Sequence, residues 1–288
     1  MNQTIQFEVV AVLGAGTMGA GIAQVCAQAG SRVVMYDVEE RWLERGMQSI
    51  RDSLDKAVEK KKLTEAQRAA TIERIDDDLD LARAVSEADL VIEAVPEKLE
   101  LKREVFAKVA QASRPGTVLA TNTSSLSLSR IFAGIPEPGR CIGMHFFNPV
   151  PVMPLLEIVR PAGCSDATLA RVHAHATAIG KEAIVVHDSP GFATSRLGVC
   201  LGLEAIRMLE AGVASAADID KAMELGYRHP MGPLRLTDLV GLDVRLAIAD
   251  YLRSELGSEV FAAPKLMRAM VARGELGKKS GKGFYDWT

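Results

Sequence analysis

The chain has 288 residues, 48% of them apolar and 25% charged, the balance of a soluble globular protein with a full core and length enough for two domains. A net charge of −3 excludes a general attraction to nucleic acid or anionic membrane, so affinity for any anionic ligand has to be local. The start, MNQTIQFEVV, has no basic cluster, and no uncharged apolar run reaches the roughly 18 residues of a membrane helix. The four cysteines (Cys26, Cys141, Cys164, Cys200) are scattered, with no CxxC and no metal-ligand spacing; the sequence predicts a reduced, cytoplasmic protein without a metal site.

Strand and helix alternate over the first two-thirds. EVVAVLG (8–14) is a continuous apolar run ending in glycine, the pattern of a strand buried on both faces, and a helix from about Met18 to Ala29 follows, closed by Gly30. RVVMYD is the second strand, and 39–62 reads as one long helical stretch with a lysine-rich end. Thr64 and Gln67 fit a capping box. Further strands are read at 90–95, 117–122, 141–147, 156–159 and 183–187, with helices at about 97–112 and 166–179. The strands stop after DSPGF (188–192), and helices are predicted at about 193–211, 215–225, 233–256 and 263–273. The fold class is therefore α/β: a Rossmann-like, doubly wound, mainly parallel sheet over 1–188, then an all-helical C-terminal domain over 189–288.

Gly14-Ala15-Gly16-Thr17-Met18-Gly19 is GxGxxG at a strand-to-helix junction. Gly14 permits the tight turn, Gly16 lets backbone approach a pyrophosphate, and Gly19 lets the helix pack close. Asp37 ends the second strand, 23 residues beyond Gly14, where a carboxylate accepts from both ribose hydroxyls and repels a 2′-phosphate; NAD is favoured over NADP, with Arg41 close enough to argue the other way. His145 ends a strand in GMHFFNPVPVMPLLEIV, prolines stiffen the connection, and Glu157 begins the next strand. An imidazole titrates near neutrality and can take a hydroxyl proton, while a carboxylate on its far nitrogen fixes the tautomer and stabilises the imidazolium.

GAGTMGxGIAQ, NTSSL, GMHFFNPVPVMPLLEIV, DSPGF, HPMGPLRLTDLVGLD and GKKSGKGFYDW together resemble the 3-hydroxyacyl-CoA (3-hydroxybutyryl-CoA) dehydrogenases, in family order from first strand to last residues. The resemblance implies that His145 is the general base of an NAD-dependent oxidation and Glu157 its orienting partner. Ser124 would hydrogen-bond the reacting hydroxyl, Asn122 and Asn148 would line the nicotinamide and substrate region, and Glu97 and Lys102 would lie near the nicotinamide end of the cofactor. Ser53 and Lys60, with Lys56 nearby, would meet the phosphorylated end of coenzyme A; by spacing alone these lysines suit a solvated helix end equally well. One position departs from the family: Ser195 stands where an asparagine is expected to help hold the acyl thioester, and its hydroxyl has shorter reach and one polar hydrogen instead of two.

The expected partner is an acyl-CoA, lying in the cleft between domains, and not nucleic acid or membrane. A homodimer formed through the C-terminal domain is expected, because apolar faces such as LGVCLGLEAIRMLEAG exceed what a unit of ~100 residues covers alone. Two alternatives stay open on the sequence: a dehydrogenase of a free hydroxy acid (a sugar acid or carnitine-like alcohol), and a catalytically silent, crystallin-like relative.

Overall fold

A computed structural model of the protein describes residues 7–288; Met1–Gln6, part of the MNQTIQFEVV start that has no basic cluster, lie outside the described residues. The chain divides into two compact units, Met1–Asp188 and Ser189–Thr288. In chain order the first contains β1 (Val9–Leu13), α1 (Thr17–Gln28), β2 (Arg32–Tyr36), α2 (Glu40–Glu59), α3 (Glu65–Glu73), β3 (Ile75–Asp78), α4 (Leu81–Ser86), β4 (Leu90–Glu93), α5 (Leu99–Ala112), β5 (Val118–Thr121), α6 (Leu128–Ile131), β6 (Cys141–Phe146), β7 (Leu155–Arg160), α7 (Asp166–Ala178) and β8 (Glu182–His187). The second contains α8 (Thr194–Glu210), α9 (Ala216–Gly226), α10 (Pro233–Val240), α11 (Leu242–Leu256) and α12 (Lys265–Ala272).

The strands form one sheet in the order β3-β2-β1-β4-β5-β6-β7-β8. From β3 to β6 every pairing is parallel; β7 runs antiparallel to β6, and β8 runs parallel to β7. The first six strands have the order of a dinucleotide-binding sheet, whose chain direction reverses between β1 and β4 and leaves a ligand crevice at the carboxyl ends. Val10 to Leu13 and Leu90 to Ile92 are fully buried, which is why the central strands read as unbroken apolar runs.

The edge was harder to read. IDDD has a single apolar residue and no alternation, yet Ile75–Asp78 pairs with β2, its acids meeting Arg32 (Asp76, 3.1 Å) and Arg83 (Asp78, 2.6 Å). Such charged, short edge strands resist pairing with other chains. At Thr64 the capping box forms: Gln67 N donates to Thr64 Oγ1 (3.2 Å), and Thr64 N donates to Gln67 Oε1 (2.9 Å).

In the second unit, the stretch 233–256 is two helices, because Gly241 (φ +104°) breaks it between α10 and α11. Val199, Leu203, Ile206, Leu234, Ala249, Leu252 and Phe261 form its core. Asp238, fully buried, explains the terminal GKGFYDW: its carboxylate accepts from Phe284 N (3.0 Å), Tyr285 N (2.9 Å) and Trp287 Nε1 (2.9 Å), and a Cβ on Gly283 would stand 2.1 Å from Asp238 Oδ1. No helix among the described residues is long and apolar enough to cross a membrane.

His175, two positions from His173 on α7, is buried. Its ring stands edge-on to Phe7 (5.1 Å between centroids), Nε2 is 3.7 Å from Cys26 Sγ, and buried Nδ1 has no hydrogen-bond partner among the described residues. Burial pushes its pKa down to about 4. The folded protein thus holds His175 neutral while the unfolded chain protonates it below about pH 6.5. Between those values the unfolded state binds more protons, so stability falls as pH drops from about 6.5 to about 4, by a few kcal/mol at most. His175→Phe should flatten the fall in Tm over that window; an unchanged profile would assign the acid sensitivity to other groups.

Candidate active site

The glycine turn is built as its spacing requires. Gly14 has φ +100°, and a Cβ there would lie 2.8 Å from Ala94 O; a Cβ on Gly19 would lie 1.7 Å from Gly14 O. A Cβ on Gly16 would meet nothing within 4 Å, so this face of the turn is open. Gly16 is also the N-cap of α1 and no side chain caps the helix, which leaves the amides at Thr17 and Met18 for an anionic ligand. Ala15 N donates to Asp37 Oδ2 (2.8 Å) and Val38 N to Oδ1 (2.7 Å), which aims the carboxylate across the end of β2 beside the turn. Arg41 is paired with Glu39 (2.7 Å) and lies over the Trp42 ring (5.2 Å), so local partners already engage it. An open glycine turn, an uncapped helix start and an anchored acid fit the pyrophosphate and ribose of NAD.

The same, carboxyl, edge of the sheet carries the histidine. His145 and Glu157 are register partners across the antiparallel pair β6/β7, so their side chains leave the same face directly opposite each other. His145 Nδ1 is 2.9 Å from Glu157 Oε2; His145 is 5% exposed and Glu157 is fully buried. The other ring nitrogen, Nε2, is left pointing away from the carboxylate. His145 also packs on Phe147, 4.5 Å between ring centroids.

Around this pair the NTSSL segment is tied down. Phe146 N donates to Asn122 Oδ1 (2.9 Å), linking the end of β5 to the strand that carries His145. Thr123 Oγ1 (2.5 Å) and Ser124 N (2.9 Å) both donate to Glu97 Oε1. Ser124 is half-buried, and its hydroxyl makes no hydrogen bond to a described residue. Glu97 precedes α5 rather than opening it, since Lys98 is the N-cap.

Lys102 is buried (1% exposed), with Nζ 3.2 Å from Glu97 Oε2, 2.7 Å from Glu93 Oε1 and 3.3 Å from Val95 O. It therefore holds Glu97 from behind instead of standing on a solvated helix face. Glu93, which the sequence reading passed over, is fully buried at the end of β4 and also accepts from Val95 N (2.8 Å) and Thr121 Oγ1 (2.6 Å). Burial raises its pKa, against the opposing pull of Lys102 and Thr121. A lone acid inside the apolar run LVIEAV was the available signal. Two more supporting residues were missed. Lys181 Nζ donates to Val150 O (2.5 Å) and Met153 O (2.8 Å), bracing the proline-rich connection after His145. Asp188 accepts from Leu128 N (3.0 Å) and Ser129 N (2.8 Å), just beyond NTSSL.

The remaining candidates lie as follows. Asn148, after β6, is exposed, and its peptide bond to Pro149 is cis. Ser53 is half-buried on α2; Lys56 is exposed on that helix and Lys60 exposed at its C-cap, neither in an ion pair with a described residue. Ser195 belongs to the second unit, half-buried in the first turn of α8.

A dinucleotide sheet with an acid–base pair at its carboxyl edge is the machinery of a nicotinamide-dependent oxidoreductase. Residues 9–189 match the family model of the 3-hydroxyacyl-CoA dehydrogenase NAD-binding domain, and 191–287 match that of the C-terminal domain. The chain belongs to this family: it is an enzyme, an NAD-dependent 3-hydroxyacyl-CoA dehydrogenase. Curated 3-hydroxybutyryl-CoA dehydrogenases of Mycobacterium tuberculosis and Bradyrhizobium diazoefficiens are 44% and 40% identical to it, each over 96% of this chain and over 98% and 94% of their own lengths. The crystal structure of (S)-3-hydroxybutyryl-CoA dehydrogenase from Ralstonia eutropha superposes with a TM-score of 0.94 at 41% identity, over 98% of this chain and 99% of that one.

Lys102→Met leaves Glu93 and its carboxylate buried without a counter-charge, and breaking such a pair costs about 3–5 kcal/mol. A lowered Tm is expected, largely recovered in the double variant Glu93→Leu/Lys102→Met. A single variant that melts with the wild type would show that the pair does not support the site.

Proposed function

We propose that His145, held by Glu157, takes the proton of the hydroxyl on carbon 3 of a 3-hydroxyacyl-CoA, converting it to the 3-oxoacyl-CoA, and returns the proton in the reverse direction. The observation that carries this reading is the buried 2.9 Å contact between His145 Nδ1 and Glu157 Oε2. With Nδ1 donating to the carboxylate, the lone pair is on Nε2, where it can accept the hydroxyl proton, and Glu157 stabilises the imidazolium that results. Bound NAD supplies the hydride acceptor. Ser124 offers its hydroxyl to the substrate oxygen and keeps the reacting proton on His145. Glu97, Asn122 and Asn148 border the nicotinamide region, with Lys102 fixing Glu97 from the interior. Ser195 bears on the acyl thioester, and Ser53 and Lys60 on the phosphorylated end of coenzyme A.

Two coarser features complete the reading. Leu197, Leu225, Tyr227, Leu239, Val240 and Val244 are exposed apolar residues of the second unit, which supports a homodimer through this part of the chain. All four cysteines are free and three are buried, which supports a reducing, cytoplasmic setting.

Purified protein should oxidise NADH with acetoacetyl-CoA. His145→Gln should lower kcat by about 10²–10⁴, the range for loss of a general base, with NADH affinity little altered. Near-normal kcat in that variant, with hydride transfer rate-limiting, would refute the assignment. Lys60→Ala should raise KM for the CoA substrate a few-fold at low ionic strength and less in added salt, while KM for NADH stays put. No change at low salt would make the lysine cluster a solvated helix end.

A further inference from the structure

A guanidinium stands close to the acid that fits the cofactor ribose, and a neighbour already holds it. Asp37 follows β2, and Arg41 comes four residues later, in the first turn of α2. An arginine in such a place is what a Rossmann-type sheet uses to accommodate the 2′-phosphate of NADP. Here Arg41 Nε is 2.7 Å from Glu39 Oε2, and Nη2 donates to Glu39 Oε1 (2.9 Å), so one side of the guanidinium fork meets both oxygens of one carboxylate. The group also lies 5.2 Å from the centre of the Trp42 ring, which Arg45 shares at the same distance. Glu39 is the N-cap of α2 but makes no side-chain cap hydrogen bond, so its carboxylate goes to Arg41 and not to the helix amides.

Two opposing charges therefore bear on a 2′-phosphate. Asp37, fixed by Ala15 N (2.8 Å) and Val38 N (2.7 Å), repels it directly. A free guanidinium nearby would oppose that repulsion, because its planar fork offers charged hydrogen bonds to phosphate oxygens. Glu39 removes this opposition in two ways: it takes the donors of the fork, and it adds a second negative charge. The pair is exposed to solvent, so a phosphate could reach Arg41 if Glu39 were absent.

We infer that Glu39 is a specificity-determining residue for the cofactor: it withholds Arg41 from a 2′-phosphate, so that rejection of NADP rests on two carboxylates, Asp37 acting directly and Glu39 acting through Arg41. This discrimination concerns the cofactor alone and does not depend on which acyl group the enzyme takes or on which residues hold it.

The test is titration with NADPH and with NADH, read from the fluorescence of the bound dihydronicotinamide at low ionic strength and without acyl-CoA. Asp37→Asn removes the direct repulsion and keeps one side-chain oxygen for the backbone amides. In that background Glu39→Ala should tighten NADPH binding by at least about tenfold, the strength of a charged hydrogen bond, and change NADH binding by less than about twofold. Arg41→Ala added to the pair should return NADPH to the affinity of Asp37→Asn alone. Added salt should shrink the gain, since the groups are exposed. Glu39→Ala in the wild-type chain keeps the question answerable if Asp37→Asn loses its cofactor: the affinity for NADPH relative to NADH should still rise, and only while Arg41 is present. An NADPH affinity that Glu39→Ala leaves unchanged in both backgrounds overturns the inference. So does a gain that survives Arg41→Ala, which would make Glu39 a second like charge near the phosphate with no action through Arg41.

Discussion

One reversal of strand direction sets the chemistry. Had β7 continued the parallel pattern of the sheet, a long crossover would have separated it from β6, and His145 and Glu157 would have had no reason to meet. Because β7 turns straight back, residues 12 apart in the chain become cross-strand neighbours. Both side chains are buried where they meet. Their 2.9 Å contact is a consequence of register, and register is strongly specified where strands are buried.

A second buried polar network supports the first. Glu93 ends β4, Lys102 comes up from α5, and Thr121 ends β5, so three neighbouring elements meet on one carboxylate. Lys102 also touches Glu97, which in turn gathers Thr123 and Ser124, while Asn122 holds the amide beside His145. A half-satisfied network of this kind would cost more than an apolar core, and here every carboxylate oxygen named has a donor. Ser124 of NTSSL is thus placed by charge pairing several residues away, and its hydroxyl makes no hydrogen bond to a described residue.

Polar burial serves the second unit differently. Asp238 accepts three donors from the final residues, and Asp220 accepts from Leu234 N (2.8 Å), Arg235 N (2.9 Å) and Tyr285 Oη (2.6 Å), so the terminal segment is pinned to the start and body of α10. Both acids are satisfied within the unit.

Much of this protein could be read from its residues alone. The GxGxxG turn, the acid after the second strand, the capping box at Thr64 and the break near Asp188 are local signals: each depends on φ/ψ preference, hydrophobic period or a short hydrogen bond, and each is written within a few neighbouring residues. The pairing of His145 with Glu157 was also legible, because only a short, stiff connection separates the two strands. What the tertiary structure decided was everything held by partners distant in the chain. Ile75–Asp78 is a strand because β2 offers it an edge, not because IDDD favours one. Lys102 is an interior cation because Glu93 and Glu97 surround it, although its spacing in LELK suits a solvated helix. Lys181, Asp188 and Asp238 act on backbone from 28 to 60 residues away in the chain. Whether a buried charge has a partner depends on what distant elements bring together, and no periodicity or spacing along the chain records that.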